Sequence, residues 1–105
     1  MKVRAFDGTS ITITEDVVGH VIRKHSDVLS LFGLTKEGFV DLLRSVLEKP
    51  HEVYIDVYGS RYFLKRLNKL YLNAVVNEET VRTAYLISSK THSRMRRKRW
   101  LRRLC

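Results

Sequence analysis

Histidine is the residue type of this chain best suited to proton transfer, and four histidines occur, at positions 20, 25, 51 and 92. An imidazole has a reference pKa of roughly 6.5, so it can accept or donate a proton near neutral pH. His25 shares a predicted apolar helix stripe with Val21, and Arg23 and Lys24 flank it. It is interpreted either as a partly buried structural histidine or as a proton shuttle beside cations that attract phosphate.

The other histidines and the single cysteine indicate no metal site. His20 lies off the helix stripe, His51 follows Pro50 in a predicted loop, and His92 belongs to a basic terminal segment. These spacings and the lone Cys105 do not match the ligand patterns of zinc proteins, and no glycine-rich nucleotide loop or GxSxG turn occurs. The sequence predicts neither a metal nor a cofactor.

The positive charge of the chain is concentrated at its C-terminal end. Residues 90–105 contain eight lysines or arginines and no acid, whereas residues 1–89 contain 12 basic and 11 acidic residues, so the net charges are +8 and +1. Charge gathered in one segment indicates a contact surface for a polyanion. The segment is predicted to be an arm, helical or disordered, that orders on contact with its partner. Its expected contacts are Lys90, Arg96, Arg97 and Arg99.

The hydrophobic pattern of residues 2–50 predicts a hairpin followed by two helices. Apolar and polar residues alternate on both sides of Asp7-Gly8, a pair that suits a tight turn. Thr14 is a predicted N-cap for a first helix that continues to about Ser30, and Thr35 begins a second helix that ends at Pro50.

From Glu52 onward the period changes to two, which predicts four antiparallel strands over residues 52–58, 61–67, 70–77 and 80–88. A two-residue loop at Gly59-Ser60 would place on the apolar face Ile55, Val57, Tyr62 and Leu64. Keeping Leu72 on that face then requires a loop with an odd number of residues near Asn68, so a three-residue loop or a bulge is predicted there. In the last strand, either the odd-numbered or the even-numbered residues of 81–88 face the helices.

These elements predict an α+β fold, with an N-terminal hairpin and two helices packed on one face of a four-stranded antiparallel sheet. The length of 105 residues fits one domain, assigned to residues 1–89, followed by the basic arm at 90–105. No segment reaches the roughly 20 apolar residues of a membrane helix, and no secretory signal is visible. A cytoplasmic location without a membrane partner is expected.

The sheet face away from the helices is predicted to be polar, with aromatic rings among cations. Its exposed side chains would be Tyr54, Tyr58, Arg61, Lys65 and Tyr71. Such a surface suits unpaired bases and phosphates, and each stacked base contributes roughly 1–3 kcal/mol. The same alternation is also typical of a solvated strand face.

Five short segments between about residues 15 and 90 form a set. They are His25 near the end of the first helix, the Leu34–Glu37 opening of the second, Glu48–Tyr54, Tyr62–Lys65 and Val81–Tyr85. Together they resemble the phage and toxin branch of the Barnase/EndoU/Colicin/RelE-like nuclease fold. The resemblance implies two helices with a four-stranded antiparallel sheet, and a metal-independent endoribonuclease that is often a toxin.

The resemblance also implies a site. His25 would be the acid or base, Lys65 would contact the phosphate, and Thr83 and Tyr85 would position the substrate. Further substrate contacts are expected from Arg61, Tyr54, Ser88 and Ser89. Cleavage would proceed by attack of the ribose 2′-hydroxyl and give a cyclic phosphate. His25 must reach around the sheet edge to meet Lys65, because the helices and the polar face lie on opposite sides.

Two other classes of function fit the same charge distribution. A non-catalytic RNA-binding protein would use the arm for affinity, and a protein-interaction module would use it to hold an acidic antitoxin or immunity protein. Replacement of His25 separates these classes, since only the nuclease would bind RNA normally and lose cleavage.

Overall fold

The computed structural model describes all 105 residues, in seven strands and four helices. The strands are β1 (Lys2–Arg4), β2 (Ser10–Thr12), β3 (Glu52–Ile55), β4 (Arg61–Leu67), β5 (Leu70–Asn77), β6 (Thr80–Ser88) and β7 (Arg102–Arg103). The helices are α1 (Glu15–Lys24), α2 (Asp27–Phe32), α3 (Lys36–Glu48) and α4 (Ser89–Arg96). The predicted bounds of β4, β5 and β6 are confirmed.

All seven strands form one mixed sheet in the order β1-β2-β6-β5-β4-β3-β7. Neighbouring strands are antiparallel except β2 and β6, which run parallel and meet at Thr12 and Thr80. The predicted four-stranded antiparallel sheet with two helices is therefore wrong. The additional strands come from the hairpin and from the C-terminal end, and their pairing joins segments distant in the sequence, which a local pattern does not encode.

The helices begin where the sequence predicts, but the first one is divided. The hydroxyl oxygens of Thr14 and Thr35 accept hydrogen bonds from backbone N–H groups three residues on, which confirms both N-caps. α1 ends at Lys24, and His25 follows as its C-cap with φ −134° and ψ 44°, outside the helical region. Asp27 then accepts from the N–H of Val28 and starts α2. The break leaves the His25 ring at a corner between two helices.

Helices α1, α2 and α3 cover one face of the sheet and enclose the main core. Val21 of α1, Val28 of α2 and Leu43 of α3 are fully buried there, together with Phe63 of β4 and Ala74 of β5. The spacing of the apolar residues in α1 and α3 gives each of them one buried stripe, as expected for a helix packed on a sheet, whereas α2 buries only Val28.

The face of β4 that meets the helices is the reverse of the predicted one, whereas β3 presents its odd-numbered residues to the helices as predicted. Ile55 pairs with Arg61, so the connecting loop has five residues rather than two. The carboxylate of Asp56 organises this loop by accepting from the N–H groups of Tyr58 and Ser60. Phe63 therefore faces the helices, while Val57 lies in the loop with 71% of its surface exposed.

The loop between β4 and β5 also differs from the prediction, but Leu72 still faces the helices because the face of β4 is reversed. Leu67 pairs with Leu70 and the pairing of β4 with β5 has no register shift, so the loop has two residues and the predicted three-residue loop or bulge is wrong. Asn68 adopts the positive φ of 62° that a tight loop requires. Leu72 still faces the helices, because an even loop keeps it on the same side as Phe63.

A bulge in β6 settles which of its residues face the helices. Val75 pairs with Thr83 but Val76 pairs with Val81, so Arg82 is the extra residue. A bulge shifts the alternation by one, so neither predicted set holds along the whole strand. Val81 and Ala84 face the helices, whereas Thr83 and Tyr85 face the opposite side.

The predicted C-terminal arm is folded against that opposite face. Ser88 is the N-cap of α4 and accepts from the N–H of Thr91. Met95 of α4 and Leu101 pack on a second apolar cluster that contains Tyr54, Leu64 and Ile87. β7 pairs with β3, which extends the sheet by one short strand. No helix has the length and apolar character that crossing a membrane would require.

The reversed face of β4 can be tested by two substitutions. Phe63→Ala is expected to lower the free energy of unfolding by about 4 kcal/mol, because it empties a fully buried position. Val57→Ala is the matched control and should change it by less than about 0.5 kcal/mol. Both values come from urea denaturation followed by circular dichroism. Equal losses for the two variants would contradict the register.

Candidate functional site

The candidate site lies where α1 meets the outer edge of β6. β2 pairs with β6 only at Thr80, which leaves the rest of that edge without a neighbouring strand. The ring of His25 comes past this edge and lies 5.6 Å from the ring of Tyr85, with an interplanar angle of 39°. His20 lies edge to face against His25, with 5.7 Å between ring centroids. Two imidazoles and a phenol thus form one continuous group, which we call the His–Tyr edge.

The two histidines of the His–Tyr edge are half-buried and differ from the other two in their contacts. His51 accepts a hydrogen bond from the backbone N–H of Arg66, and His92 is bonded to Glu52. His20 and His25 meet their neighbours through ring faces and edges. Neither ring forms a hydrogen bond within the protein, so the ring nitrogens are available to a bound molecule.

A cavity of about 310 Å³ lies beside the His–Tyr edge, between the sheet and the C-terminal segment. Tyr85 belongs to both, since it lines the cavity and touches His25. The sheet contributes to its lining Tyr62, Asn73, Tyr85 and Ile87. The C-terminal segment contributes Thr91, Arg94, Met95, Lys98, Trp100 and Leu101. The lining therefore combines aromatic rings with two cations, the features that suit a nucleotide.

Two buried polar atoms on this face of the sheet have no partner, Oδ1 of Asn73 and Oγ1 of Thr83. Leaving such an atom unpaired costs about 1–3 kcal/mol. Tyr62 is already committed, because it donates its hydroxyl proton to Asp56 at 2.7 Å. Burial and that hydrogen bond raise the pKa of Tyr62 to about 12, so it stays protonated at neutral pH.

Of the four predicted catalytic residues, the structure brings His25 and Tyr85 into contact, places Thr83 on the same face as Tyr85 and leaves out Lys65. Thr83 and Tyr85 share the face that His25 reaches. Lys65 lies on the other face, two residues along β4 from Phe63, and its ammonium donates to the carbonyl of Lys49 at 3.1 Å.

Several of the predicted substrate contacts have structural roles instead. Arg61 pairs with Asp7 at 3.7 Å on the side of the helices. Tyr54 is buried, Ser88 caps α4, and the hydroxyl of Ser89 donates to the carbonyl of Lys69. Exposed cations remain at Lys90, Arg96, Arg97 and Arg99.

A buried acidic group under α4 was missed by sequence reasoning. Glu52 accepts from Nε2 of His92 at 2.8 Å and from the hydroxyl of Tyr54. Because a carboxylate can only accept, Nε2 of His92 carries the proton. Guanidinium groups of Arg96 and Arg103 lie 4.0 and 3.9 Å from the same carboxylate. We call this group the Glu52 anchor, since it ties α4 and β7 to the sheet.

The carboxylate of the Glu52 anchor is ionised despite its burial. Burial alone would favour the neutral acid, but the hydrogen bonds from Tyr54 and His92 and the positive charge of Arg103 outweigh it. They hold the pKa of Glu52 below its usual 4.5. No three His, Cys, Asp or Glu side chains converge so that they could hold a metal ion.

Three of the missed residues share one cause. His20, Asn73 and Trp100 had no local signal that set them apart, because their importance depends on which face of the sheet the C-terminal segment covers. His92 did have a signal: Ser88 three residues before Thr91 fits an N-cap, which would have placed His92 and Met95 on one side of a helix.

Comparison with protein-family models, with curated proteins and with solved structures finds no match to this chain. The function is therefore to be inferred from the His–Tyr edge, the cavity and the charge around them.

The Glu52 anchor predicts a pH dependence of stability. A carboxyl group whose folded pKa is lowered stabilises the protein above its unfolded pKa and loses that effect as the pH falls through the folded pKa. Glu52→Gln should therefore cost about 3 kcal/mol in the free energy of unfolding at pH 7 and much less at pH 3. Urea denaturation at both pH values measures this difference.

Glu48→Gln is the control, because Glu48 is an exposed glutamate at the end of α3. It should change stability little at either pH. A Glu52→Gln variant as stable as the unmodified protein at pH 7 would show that the carboxylate does not hold α4.

Proposed function

We propose that this protein is a metal-independent endoribonuclease whose reacting groups are His20 and His25, with Tyr85 beside them. The observation that carries the proposal is the His–Tyr edge, in which two half-buried imidazoles meet one another and a tyrosine next to a cationic cavity. His25 and Tyr85 are also two of the residues that the nuclease resemblance implies as site residues.

Two imidazoles supply the proton transfers that RNA cleavage needs. One imidazole removes the proton of a ribose 2′-hydroxyl, and the 2′-oxygen forms a bond to phosphorus. The bond from phosphorus to the 5′-oxygen breaks, and the second imidazole, in its protonated form, donates its proton to that oxygen. The products are a 2′,3′-cyclic phosphate and a 5′-hydroxyl. Each positioned acid or base contributes about 10²–10⁴-fold to the rate.

The distance between the two rings allows one imidazole to act as the base and the other as the acid. A catalytic base or acid must come within about 2.6–3.2 Å of the oxygen it serves. With 5.7 Å between their centroids, His20 and His25 can reach two oxygens of a single phosphodiester. Tyr85 lies against His25, and Thr83 is two residues away on the same face of β6.

The charge of the C-terminal segment supports RNA as the substrate. Its eight cations include Arg94 and Lys98 at the cavity, and the exposed Arg97, Arg99 and Arg102 extend the positive surface beyond it. Each phosphate that they neutralise on a single strand adds about −0.7 to the slope of log affinity against log salt. The same cations would attract an acidic inhibitor protein, which would then compete with RNA for this surface.

The proposal predicts a loss of cleavage in His25→Ala. The rate on a mixed single-stranded RNA oligonucleotide in EDTA at pH 7 should fall at least about 100-fold, because the chain loses one of its two proton carriers. His20→Ala should lose activity to a similar extent. Gel electrophoresis of end-labelled RNA measures both rates.

His51→Ala is the matched control, a histidine substitution outside the site, and should cleave at the unmodified rate. Binding of a 2′-O-methyl RNA, which cannot be cleaved by this route, should be unchanged in His25→Ala. If the unmodified protein binds this RNA and cleaves nothing, it is a non-catalytic RNA-binding protein and the proposal is wrong.

A further inference from the structure

The cavity between the sheet and the C-terminal segment contains a feature that cleavage itself does not explain. Asn73 lies in the middle of β5, opposite Leu64 on one side and Tyr85 on the other. Its side chain is only 2% exposed, and its Oδ1 has no hydrogen-bond partner. By contrast, Asn77 on the same strand donates to the hydroxyl of Ser60 at 2.9 Å. The protein thus keeps a buried carboxamide unsatisfied at this one position.

We infer that the cavity binds a single nucleobase of single-stranded RNA, which Asn73 recognises by hydrogen bonding to its edge. The inference rests on the proposed function, because it names the part of the RNA substrate that this side of the site holds. A carboxamide offers an acceptor and two donors, and the edge of each nucleobase offers complementary groups. Because Oδ1 is enclosed, the carboxamide of Asn73 must rotate to present this acceptor to a base in the cavity.

The walls of the cavity suit the flat faces of a base. Tyr62 and Tyr85 come from the sheet, and Trp100 comes from the C-terminal segment. Proteins that recognise single-stranded RNA stack splayed-out bases on such rings and bond to their edges. The apolar Ile87 and Met95 complete a lining that would exclude water from the hydrogen bonds to Asn73.

The size and charge of the cavity favour one nucleotide of a longer strand. Its volume of about 310 Å³ lies at the lower end of the range for ligand pockets, roughly 300–1,000 Å³. Arg94 and Lys98 place two cations at the lining, where the phosphates on either side of the base would run. The remaining cations of residues 90–105 would follow the strand onward.

Tyr85 sets the register between the base and the reacting phosphate. Its ring lines the cavity and also contacts His25. A base held in the cavity therefore belongs to a nucleotide next to the phosphodiester at the His–Tyr edge. The base that Asn73 recognises would in this way determine which neighbouring phosphodiester of the RNA is cleaved.

Binding to four 2′-O-methyl RNA hexamers, each of a single base, tests the inference. The unmodified protein should prefer one hexamer by about tenfold, the discrimination expected of one well-bonded base edge. Asn73→Ala should bind all four with nearly equal affinity. Asn77→Ala is the matched control and should keep the preference. Fluorescence anisotropy at one fixed salt concentration measures each dissociation constant.

Trp100→Ala provides a second test in which the buried strand β5 is not altered, since Trp100 lies outside that strand and is 46% exposed. It should weaken binding of the preferred hexamer about tenfold through loss of stacking. Equal binding of all four hexamers by the unmodified protein would overturn the inference, and so would a preference that survives in Asn73→Ala or an unchanged affinity in Trp100→Ala. Because these RNAs cannot be cleaved, the result is independent of whether His25 is catalytic.

Discussion

One buried carboxylate holds together the part of the molecule on which its function depends. A segment with eight cations and no acid of its own would otherwise repel itself and stay in solvent. Glu52 gives it a partner on the sheet, through His92 in α4 and Arg103 in β7. The ring of Tyr71 stacks on the ring of His92, with 4.0 Å between their centroids, and covers one face of the imidazole. Once the segment is fixed in this way, Arg94, Lys98 and Trp100 form one wall of the cavity and the rest of its cations surround it.

The two faces of the sheet consequently differ in their role. The side covered by α1, α2 and α3 holds the large apolar core and supplies most of the buried surface. The other side carries buried polar atoms, among them Oδ1 of Asn73 and Oγ1 of Thr83. His25 connects the two sides because the helix break leaves its ring at the free edge of β6. In the proposed function, the proton-transfer groups and the substrate-binding groups thus meet at an edge rather than on either face.

Local chemistry explains which features the sequence could predict. Thr14 and Thr35 cap helices through hydrogen bonds to backbone N–H groups three residues on. The strands from Arg61 to Ser88 are separated by short loops in which Asn68 and the Glu78-Glu79 pair adopt positive φ. Such signals lie within a short window of sequence. The resemblance implied that His25 and Tyr85 belong to one site, and the two rings lie 5.6 Å apart although 60 positions separate them in the sequence.

The failures came from single-residue shifts and from long-range contacts. Asp56 stabilises a five-residue loop, which reverses the face of β4 and removes Lys65 from the site. Arg82 forms a bulge, which turns Thr83 and Tyr85 away from the helices while Val81 stays with them. The folding of residues 90–105 onto the sheet depends on a glutamate about 40 positions earlier, and charge composition alone indicated a free arm.

The central claim is that two imidazoles cleave RNA through the ribose 2′-hydroxyl, and a substrate with one such hydroxyl tests it most directly. Four DNA oligonucleotides, each with one ribonucleotide of a different base, would be incubated with the protein in EDTA and their products identified by mass spectrometry. The account predicts cleavage only on the 3′ side of the ribonucleotide, leaving a 2′,3′-cyclic phosphate and a 5′-hydroxyl. Cleavage elsewhere, a 5′-phosphate product or no cleavage of any of the four would contradict it.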